Sequence, residues 1–376
     1  MNKHYKIYAE VLEDEALQQF DSVMALDTSI AGALMPDAHK GYSLPIGGVV
    51  ATKNIIYPAW VGYDIGCGMC AAPLDGITKD DIQSNSDKIF NSIYKIVPVG
   101  YNHHNRAKFM FNLLDYDCSE SFIERWENEN PLVQLGTLGG GNHFIELGYD
   151  EDDNVWIVIH SGSRNFGWKT AQYYMKLASG DGKAREGSYG FDIESDNGLN
   201  YYDDMNVCLD FALKNRTSIM DGVLEAIGNA IGKKDVSIFD EFFINRNHNH
   251  AEIKRNTYYG DVIIHRKGAT HAEEGMMGVI PGNMRDGSFI VCGKGNKDSL
   301  WSSSHGAGRV MGRKVAKNTI SLEDFSQVML GIQAKVCADT LDESPFAYKN
   351  IFDVMDLQRD LVEVIHYIKP IINVKG

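Results

Sequence analysis

Glycine constrains this chain more than any other residue type. Thirty-seven are present, and many fall in short clusters such as Gly47-Gly48, Gly66-Cys67-Gly68, Gly139-Gly140-Gly141 and Gly306-Ala307-Gly308. Clusters of this kind favour tight turns and close backbone approaches over long regular elements. Short apolar runs lie among them. Residues 44–53 and 56–63, bounded by Gly and Pro, read as strands. Phe144 to Leu147 and Val155 to Ile159 read as a hairpin, with the acidic run from Asp150 to Asn154 as its solvated turn. Thr78 is placed to cap a helix running to about Val97, with Asp80 and Asp81 in its first turn. Helical spacing is expected over 104–114, 119–127, 164–179, 202–231, 321–339 and 353–367, strands over 236–293, and a long polar loop over 180–200. Strands and helices do not alternate regularly. The expectation is therefore a complex α+β fold rather than a doubly wound sheet. It is read as a single domain over 1–376, in which about 164–235 forms a helical insertion.

Lys plus Arg number 36 and Asp plus Glu 51, a net charge of −15. Such a chain is no general nucleic-acid coater, because that binding rests on neutralising phosphates, although a local basic pocket can still grip one end. No apolar run reaches the ~18–20 residues of a membrane helix. The first twenty residues turn acidic early and lack a secretion signal, so the expectation is a cytoplasmic protein. Six cysteines in 376 residues are no disulfide framework.

Five segments carry the chemistry: Asp64-Ile65-Gly66-Cys67-Gly68, the glycines before Asn142-His143, His160-Ser161-Gly162-Ser163-Arg164, Asn247-His248-Asn249-His250, and Ser304-His305 with the glycines after it. A lone histidine in such a place is more often a satisfied polar group. Five such segments in one chain favour a metal centre. The Gly66 turn can point Asp64 and Cys67 at one ion, and His143 and His160 lie at the same end of the predicted hairpin. His248 adds a third imidazole. Asp, Cys and three His suit Zn²⁺, Mn²⁺ or Fe²⁺ better than Ca²⁺ or Mg²⁺. Five ligands exceed one closed zinc site, and a two-metal site with a bridging thiolate would use them all. Cys67-Gly68-Met69-Cys70 matches C-x-x-C, but it has neither a thioredoxin-like setting nor a second such pair; Cys70 is expected to be buried. If His248 and His250 lie on a strand, both imidazoles share one face.

His305 stands apart. Glycines on its C-terminal side let a phosphate approach the backbone, and Arg309 follows four residues on. Residues 281–317 hold seven Lys/Arg and two Asp/Glu, a net of +5. Together with Arg266-Lys267-Gly268 and Pro281-Gly282-Asn283-Met284, this suggests an anion site within an acidic protein. No P-loop is present.

The segments PDAHKGYSLPIGGV, VGYDIGCGM, LGGGNHFIEL, IHSGSRNFG, RKGAT, IPGNM, SSSHGAGRVMGR and the terminal VKG resemble the RtcB family of RNA-splicing and RNA-repair ligases, in the family's order from about residue 35 onward. The resemblance implies central mixed and antiparallel sheets flanked by helices. It implies joining of RNA 3′-phosphate or 2′,3′-cyclic phosphate ends to 5′-hydroxyl ends, with GTP as co-substrate and two Mn²⁺ as cofactors. Carried over by motif, Cys67 bridges the two ions, Asp64 and His143 complete one, and His160 and His248 the other. His305 becomes the nucleophile that takes GMP. Asn142, Glu146, Asn249, Pro281, Gly282, Asn283, Met284, Ser288, Gly306, Ala307, Gly308, Tyr348 and Lys375 line the guanylate site. Arg164, Lys267 and Arg309 hold RNA or nucleotide phosphates. Asn283 stands where many relatives have Ser, which implies one altered nucleotide contact. The resemblance implies RNA ends as partners and leaves room for an archease-type activator; a monomer is taken as the default, and the acidic charge and short apolar runs disfavour a membrane. Two other readings compete: a metal-dependent phosphoesterase acting on RNA termini, and a non-catalytic protein that binds RNA ends or buffers metal.

Overall fold

The computed structural model describes residues 3–376. Two sheets organise it. The larger has nine strands; seven run in the order Ile244–Asn247, Gly68–Thr78, Asn154–Ser161, Phe144–Tyr149, Val362–Lys375, Ser288–Gly293 and Met277–Pro281, each antiparallel to its neighbour, while Ser237–Ile238 and Gln333–Ala334 pair off this path. In the smaller, His4–Ile7, Ser29–His39, Ile46–Thr52, Gly260–Lys267 and Asn249–Thr257 follow one another, with only the first pair parallel. Helices and antiparallel-dominated sheets make the chain α+β. Among the described residues, no helix is long and apolar enough to cross a membrane.

The main core lies between the larger sheet and two helices. Ile145, Leu147, Ile157 and Ile159 pack with Ile89 and Ile93 of helix Ser86–Ile96 and with Ile219, Val223 and Ile227 of helix Asp196–Ile231. Burying each such side chain contributes about 1.5–3 kcal/mol. The long helix spans 36 residues; Asn215 and Arg216 are among its buried polar side chains.

Several local expectations change. Residues 58–61 form a short helix rather than the end of a strand, because Pro58 sits at its first position, where a missing N–H costs nothing. The helix capped by Thr78 breaks at Asn85 into Lys79–Ser84 and Ser86–Ile96; the Thr78–Asp81 capping box is present. Residues 104–114 are irregular apart from the 3-10 turn Leu113–Asp115. In the hairpin tip, Asp150 is buried and accepts bonds from Trp156 Nε1 and from the Asp152 and Asn154 amides, so the solvated part of the turn begins at Glu151. The loop after 179 ends early, since Phe191–Asp192 pairs with Ile55–Ile56 and Ser195 caps the long helix. Over 321–339 only Leu322–Val328 is α-helical; Gly331, at φ +88°, favours a turn. Over 353–367 the helix stops at Asp356, and Val362–Lys375 is a 14-residue strand. Val362 to Ile368 pair with Ser288–Gly293 and Lys369 to Lys375 with Phe144–Tyr149, ladders that override the local helical spacing of the first half. Pro370 is accommodated at a bulge.

Candidate active site

Strand registers bring the chemistry together. Gly68 lies opposite Ser161 and Asn247, His160 opposite Met69 and Phe144, and Lys375 opposite Phe144. One edge of the larger sheet therefore presents Cys67, His143, His160, His248 and Lys375 side by side. Cys67 Sγ lies 3.4 Å from His143 Nε2 and 3.1 Å from His160 Nε2. His143 Nε2 is 3.2 Å from Asp64 Oδ2, and His160 Nε2 is 3.3 Å from His248 Nε2. Two ligand triads result, Asp64–Cys67–His143 and Cys67–His160–His248, sharing one thiol; within each, the donor atoms lie within 4.8 Å of one another.

The chemistry of this cluster fits a cation. His143 Nδ1 faces the Leu138 carbonyl at 3.0 Å, and His160 Nδ1 faces the Asn142 carbonyl at 3.2 Å. A carbonyl accepts only, so the proton of each neutral ring sits on Nδ1 and its Nε2 carries a lone pair. Those lone pairs point at each other and at sulfur. Burial holds His160 and His248 well below the ordinary imidazole range, with neighbouring histidines adding to the effect, so protonation does not supply the missing positive charge. Burial, reinforced by Asp64, pushes the Cys67 thiol well up. The Asp64 carboxyl sits below its ordinary value although burial acts to raise it, with the nearby Arg164 guanidinium among the charges that lower it. Cations held by the two triads would resolve this concentration of lone pairs.

The scaffold behind the cluster is buried and polar. Arg216 donates to the Gly66 and Ser161 carbonyls, both at 2.9 Å, and to Asn245 and Asn247 side chains, both at 2.7 Å, tying the Cys67 turn to the strand end at His160. Asn215 binds the Gly136 amide and the Thr137 and Gly162 carbonyls. Gly139, at φ +92°, leaves room for His143: a Cβ there would sit 2.7 Å from His143 Nδ1.

His305 follows the short strand Ser302–Ser304, which pairs with Ala269–His271. Its Nδ1 lies 2.6 Å from Oδ2 of the fully buried Asp37, and that oxygen also accepts the His305 amide at 3.2 Å. Asp37 lies within the PDAHKG segment, but sequence reading assigned it no role. The His248 and His305 ring centroids are 4.8 Å apart, so the histidine adjoins the metal-type cluster.

A cavity of about 280 Å³ opens at His305. Asn142, Glu146, Pro281–Met284, Gly306, Ala307, Gly308, Tyr348 and Lys375 line it, together with Arg309 and with His39, Arg313 and Asn373, which sequence reading missed. Glu146 is buried, accepts from Ser288 Oγ at 2.9 Å and from Asn373 Nδ2 at 3.3 Å, and burial raises it to about 7. Ser288 therefore acts behind Glu146 rather than on the cavity wall. Asn249 lies off that wall; its side chain bonds the Gly268 amide and the Asp64 carbonyl. Glu343, also unanticipated, accepts from Tyr348 Oη, Lys375 Nζ and Arg313 at 2.6–2.9 Å. Burial acts to raise it, and Lys375 and Arg313 pull it down to about 2.

Asp64 and His143 face a second, wider cavity of about 980 Å³, which Arg164 also lines. Arg164 donates to Thr137 Oγ1 at 2.9 Å and to the Gly100 carbonyl at 3.0 Å. Lys267 lines neither cavity. It is buried, bonds the Ala59 carbonyl at 3.2 Å, and burial lowers it to about 8. Cys70 is buried on its strand. His250 does not share a site with His248, because the strand begins only at Asn249; it joins Glu252, His271 and Arg266 instead.

The sequence profile of the family described as tRNA-splicing ligase RtcB matches residues 19–125 and 115–376. An Escherichia coli protein named RNA-splicing ligase RtcB is 37% identical, over 92% of this chain and 90% of its own length. A Nanoarchaeum equitans tRNA-splicing ligase RtcB is 28% identical over 100% of this chain and 96% of its own, and one from Thermococcus kodakarensis 26% over 99% and 93%.

Proposed function

The chain belongs to the tRNA-splicing ligase RtcB family, and on that premise we propose that it joins RNA 3′-phosphate or 2′,3′-cyclic phosphate ends to 5′-hydroxyl ends, using GTP and Mn²⁺. The observation that carries this reading is the Asp37–His305 pair set beside the Cys67-centred cluster, with His305 and His160 lining the same cavity.

Asp64, Cys67 and His143 would hold one ion, and Cys67, His160 and His248 the other. Bound divalent ions would supply Lewis acidity and offset phosphate charge. Asp37 keeps the His305 proton on Nδ1, so Nε2 offers its lone pair. That nitrogen attacks the α-phosphorus of GTP; a P–N bond forms and pyrophosphate leaves. Arg309, on the same wall, offers charge to the phosphates. The Glu146 carboxylate is matched to the adjacent N1–H and 2-amino donors of guanine, a pair that adenine lacks. The RNA 3′-phosphate, freed from any cyclic form by hydrolysis, then takes the guanylyl group and releases His305. The 5′-hydroxyl attacks the activated phosphorus and GMP departs. Arg164, on the wall of the second cavity, is read as an RNA phosphate contact; Lys267, buried and off both cavities, does not fit that role, and Asn249 supports the guanylate site from behind its wall. The proposal takes the chain as one ligase domain, a cytoplasmic monomer with room for an archease-type activator.

The test is incubation with α-³²P-labelled GTP and Mn²⁺ beside His305→Ala. Acid-labile, His305-dependent label that survives denaturation is the expected result. GTP-independent turnover of RNA cyclic phosphates that persists in His305→Ala, with no label, would establish the phosphoesterase instead.

A further inference from the structure

Three aromatic side chains from separate segments meet beside the second cavity. The Tyr63 ring stacks on Trp168 at 5.8 Å between centroids with 23° between planes, and Tyr42 meets Tyr63 edge-on at 6.1 Å. Tyr42 is 60% exposed and Trp168 42%. Large aromatic surface left in water forgoes the burial that usually justifies it, and contiguous exposed aromatics mark contact sites. Two cations bracket the strip. Trp168 stands one helical turn from Arg164 and lines the second cavity with it. At the other end, Lys267 Nζ lies 5.5 Å from the Tyr42 ring centroid. Arg164 is not spent on a carboxylate hydrogen bond, since it donates to a hydroxyl and a carbonyl, whereas Lys267 is buried on the Ala59 carbonyl and backs the Tyr42 ring. In a chain of net charge −15, a stacked pair of rings with a third set edge-on, beside the cavity-lining Arg164, is complementary to unpaired nucleotides, whose bases stack and whose phosphates are anionic.

We propose that Trp168, Tyr63 and Tyr42 form a stacking platform for the first unpaired bases of the strand that carries the 5′-hydroxyl. This rests on the ligase reading, which also selects the strand. GMP leaves from the cavity at His305, and displacement at phosphorus is in line, so the attacking hydroxyl comes from the opposite side. The metal-type cluster is the partition between the two sides: His160 faces the first cavity, while Asp64 and His143 face the second. The strip begins at that second cavity.

The test compares the full-length protein with Tyr42→Ala, Trp168→Ala and the corresponding Phe variants. Binding of a fluorescent 5′-hydroxyl RNA oligonucleotide is read by anisotropy at one fixed salt concentration, so turnover is not needed. Each Ala variant is expected to weaken binding roughly tenfold, and Phe to restore most of it. An oligonucleotide with abasic sites at its first two positions should bind the wild type as weakly as the Ala variants bind the intact strand, and should lose no more on the variants. A 3′-phosphate oligonucleotide should bind all of them alike. Equal binding of the intact 5′-hydroxyl strand by wild type and Ala variants overturns the platform. So does an abasic penalty of equal size in both. Loss confined to the 3′-phosphate strand overturns the strand assignment. Labelling of His305 by GTP is followed in parallel: its absence in the wild type sinks the ligase reading, whereas labelling with unchanged binding sinks the platform alone.

Discussion

Asp37 Oδ2 and His305 Nδ1 are 2.6 Å apart, and the carboxylate is wholly enclosed. The same oxygen accepts the His305 backbone amide. Ring and main chain are thus fixed by one atom, which sets both the tautomer and the direction of the remaining nitrogen. Asp37→Asn keeps the shape and offers the ring a donor or a weaker acceptor in place of the carboxylate. It should cut the rate of GTP labelling on the order of 10²–10⁴-fold while leaving the unfolding midpoint near that of wild type. Rapid-quench labelling and a thermal melt check the two halves; an unchanged labelling rate would remove Asp37 from the mechanism.

Glu146 couples recognition to stability. Its carboxyl is raised by burial from 4.5 to about 7. Between those pH values the folded chain keeps a proton that the unfolded chain has released, so this group's contribution to stability falls as pH rises through the window. The cost is a few kcal/mol above pH 7. Glu146→Gln removes that cost. The Asn373 amide can turn its Oδ1, which lacks a partner, to receive the new N–H. The variant should melt higher than wild type at pH 8 and similarly at pH 4.5, while its labelling by GTP falls about tenfold or more. Melts at the two pH values, with labelling at pH 8, decide it.

Loading of the Cys67 cluster should be steeply pH-dependent. Burial holds the thiol protonated and the imidazoles neutral, so each chain releases a thiol proton when a cation binds. Below the raised thiol value, apparent affinity should rise about tenfold per pH unit. Manganese at a hundredfold excess over Kd should add about 2.7 kcal/mol of stability per site. Cys67→Ala should lose the pH slope and weaken both sites together. Calorimetric titration in two buffers of different ionisation enthalpy counts the protons, and retention of one tight site in the variant would contradict a shared thiolate.

Arg266 is a structural cation. Its side chain is wholly buried and bonds Glu252 at 2.8 Å, Ser302 Oγ at 2.8 Å and His250 Nε2 at 3.2 Å. Arg266→Met leaves Glu252 and His250 without this partner and should cost about 3–5 kcal/mol. Adding Glu252→Gln should recover part of the loss, since the two share one interaction. Urea unfolding of the single and double variants measures the coupling; strict additivity would place the stabilisation elsewhere.

The motif residues were legible because each sits beside glycines or at the end of an apolar run, where local chemistry and turn geometry are both encoded in a few adjacent letters. Asp64, Cys67, His143, His160, His248 and His305 were all visible in this way, as was the α+β class, which follows from irregular alternation of short strands and helices. What the letters could not supply was register. Cys67 and His248 are brought together by Gly68 pairing with Asn247, and Lys375 reaches the site because residues 369–375 pair with Phe144–Tyr149, at the end of a strand whose first residues carry helical spacing. Asp37, Glu343 and Arg216 were likewise invisible as site residues: their roles come from partners 268, 32 and 150 positions away in the chain. The sequence by itself determined which donor side chains and which glycine-flanked histidines the protein owns. The tertiary structure alone decided which lone pairs face one another, because that depends on ladder pairing and burial, long-range quantities that no local pattern carries.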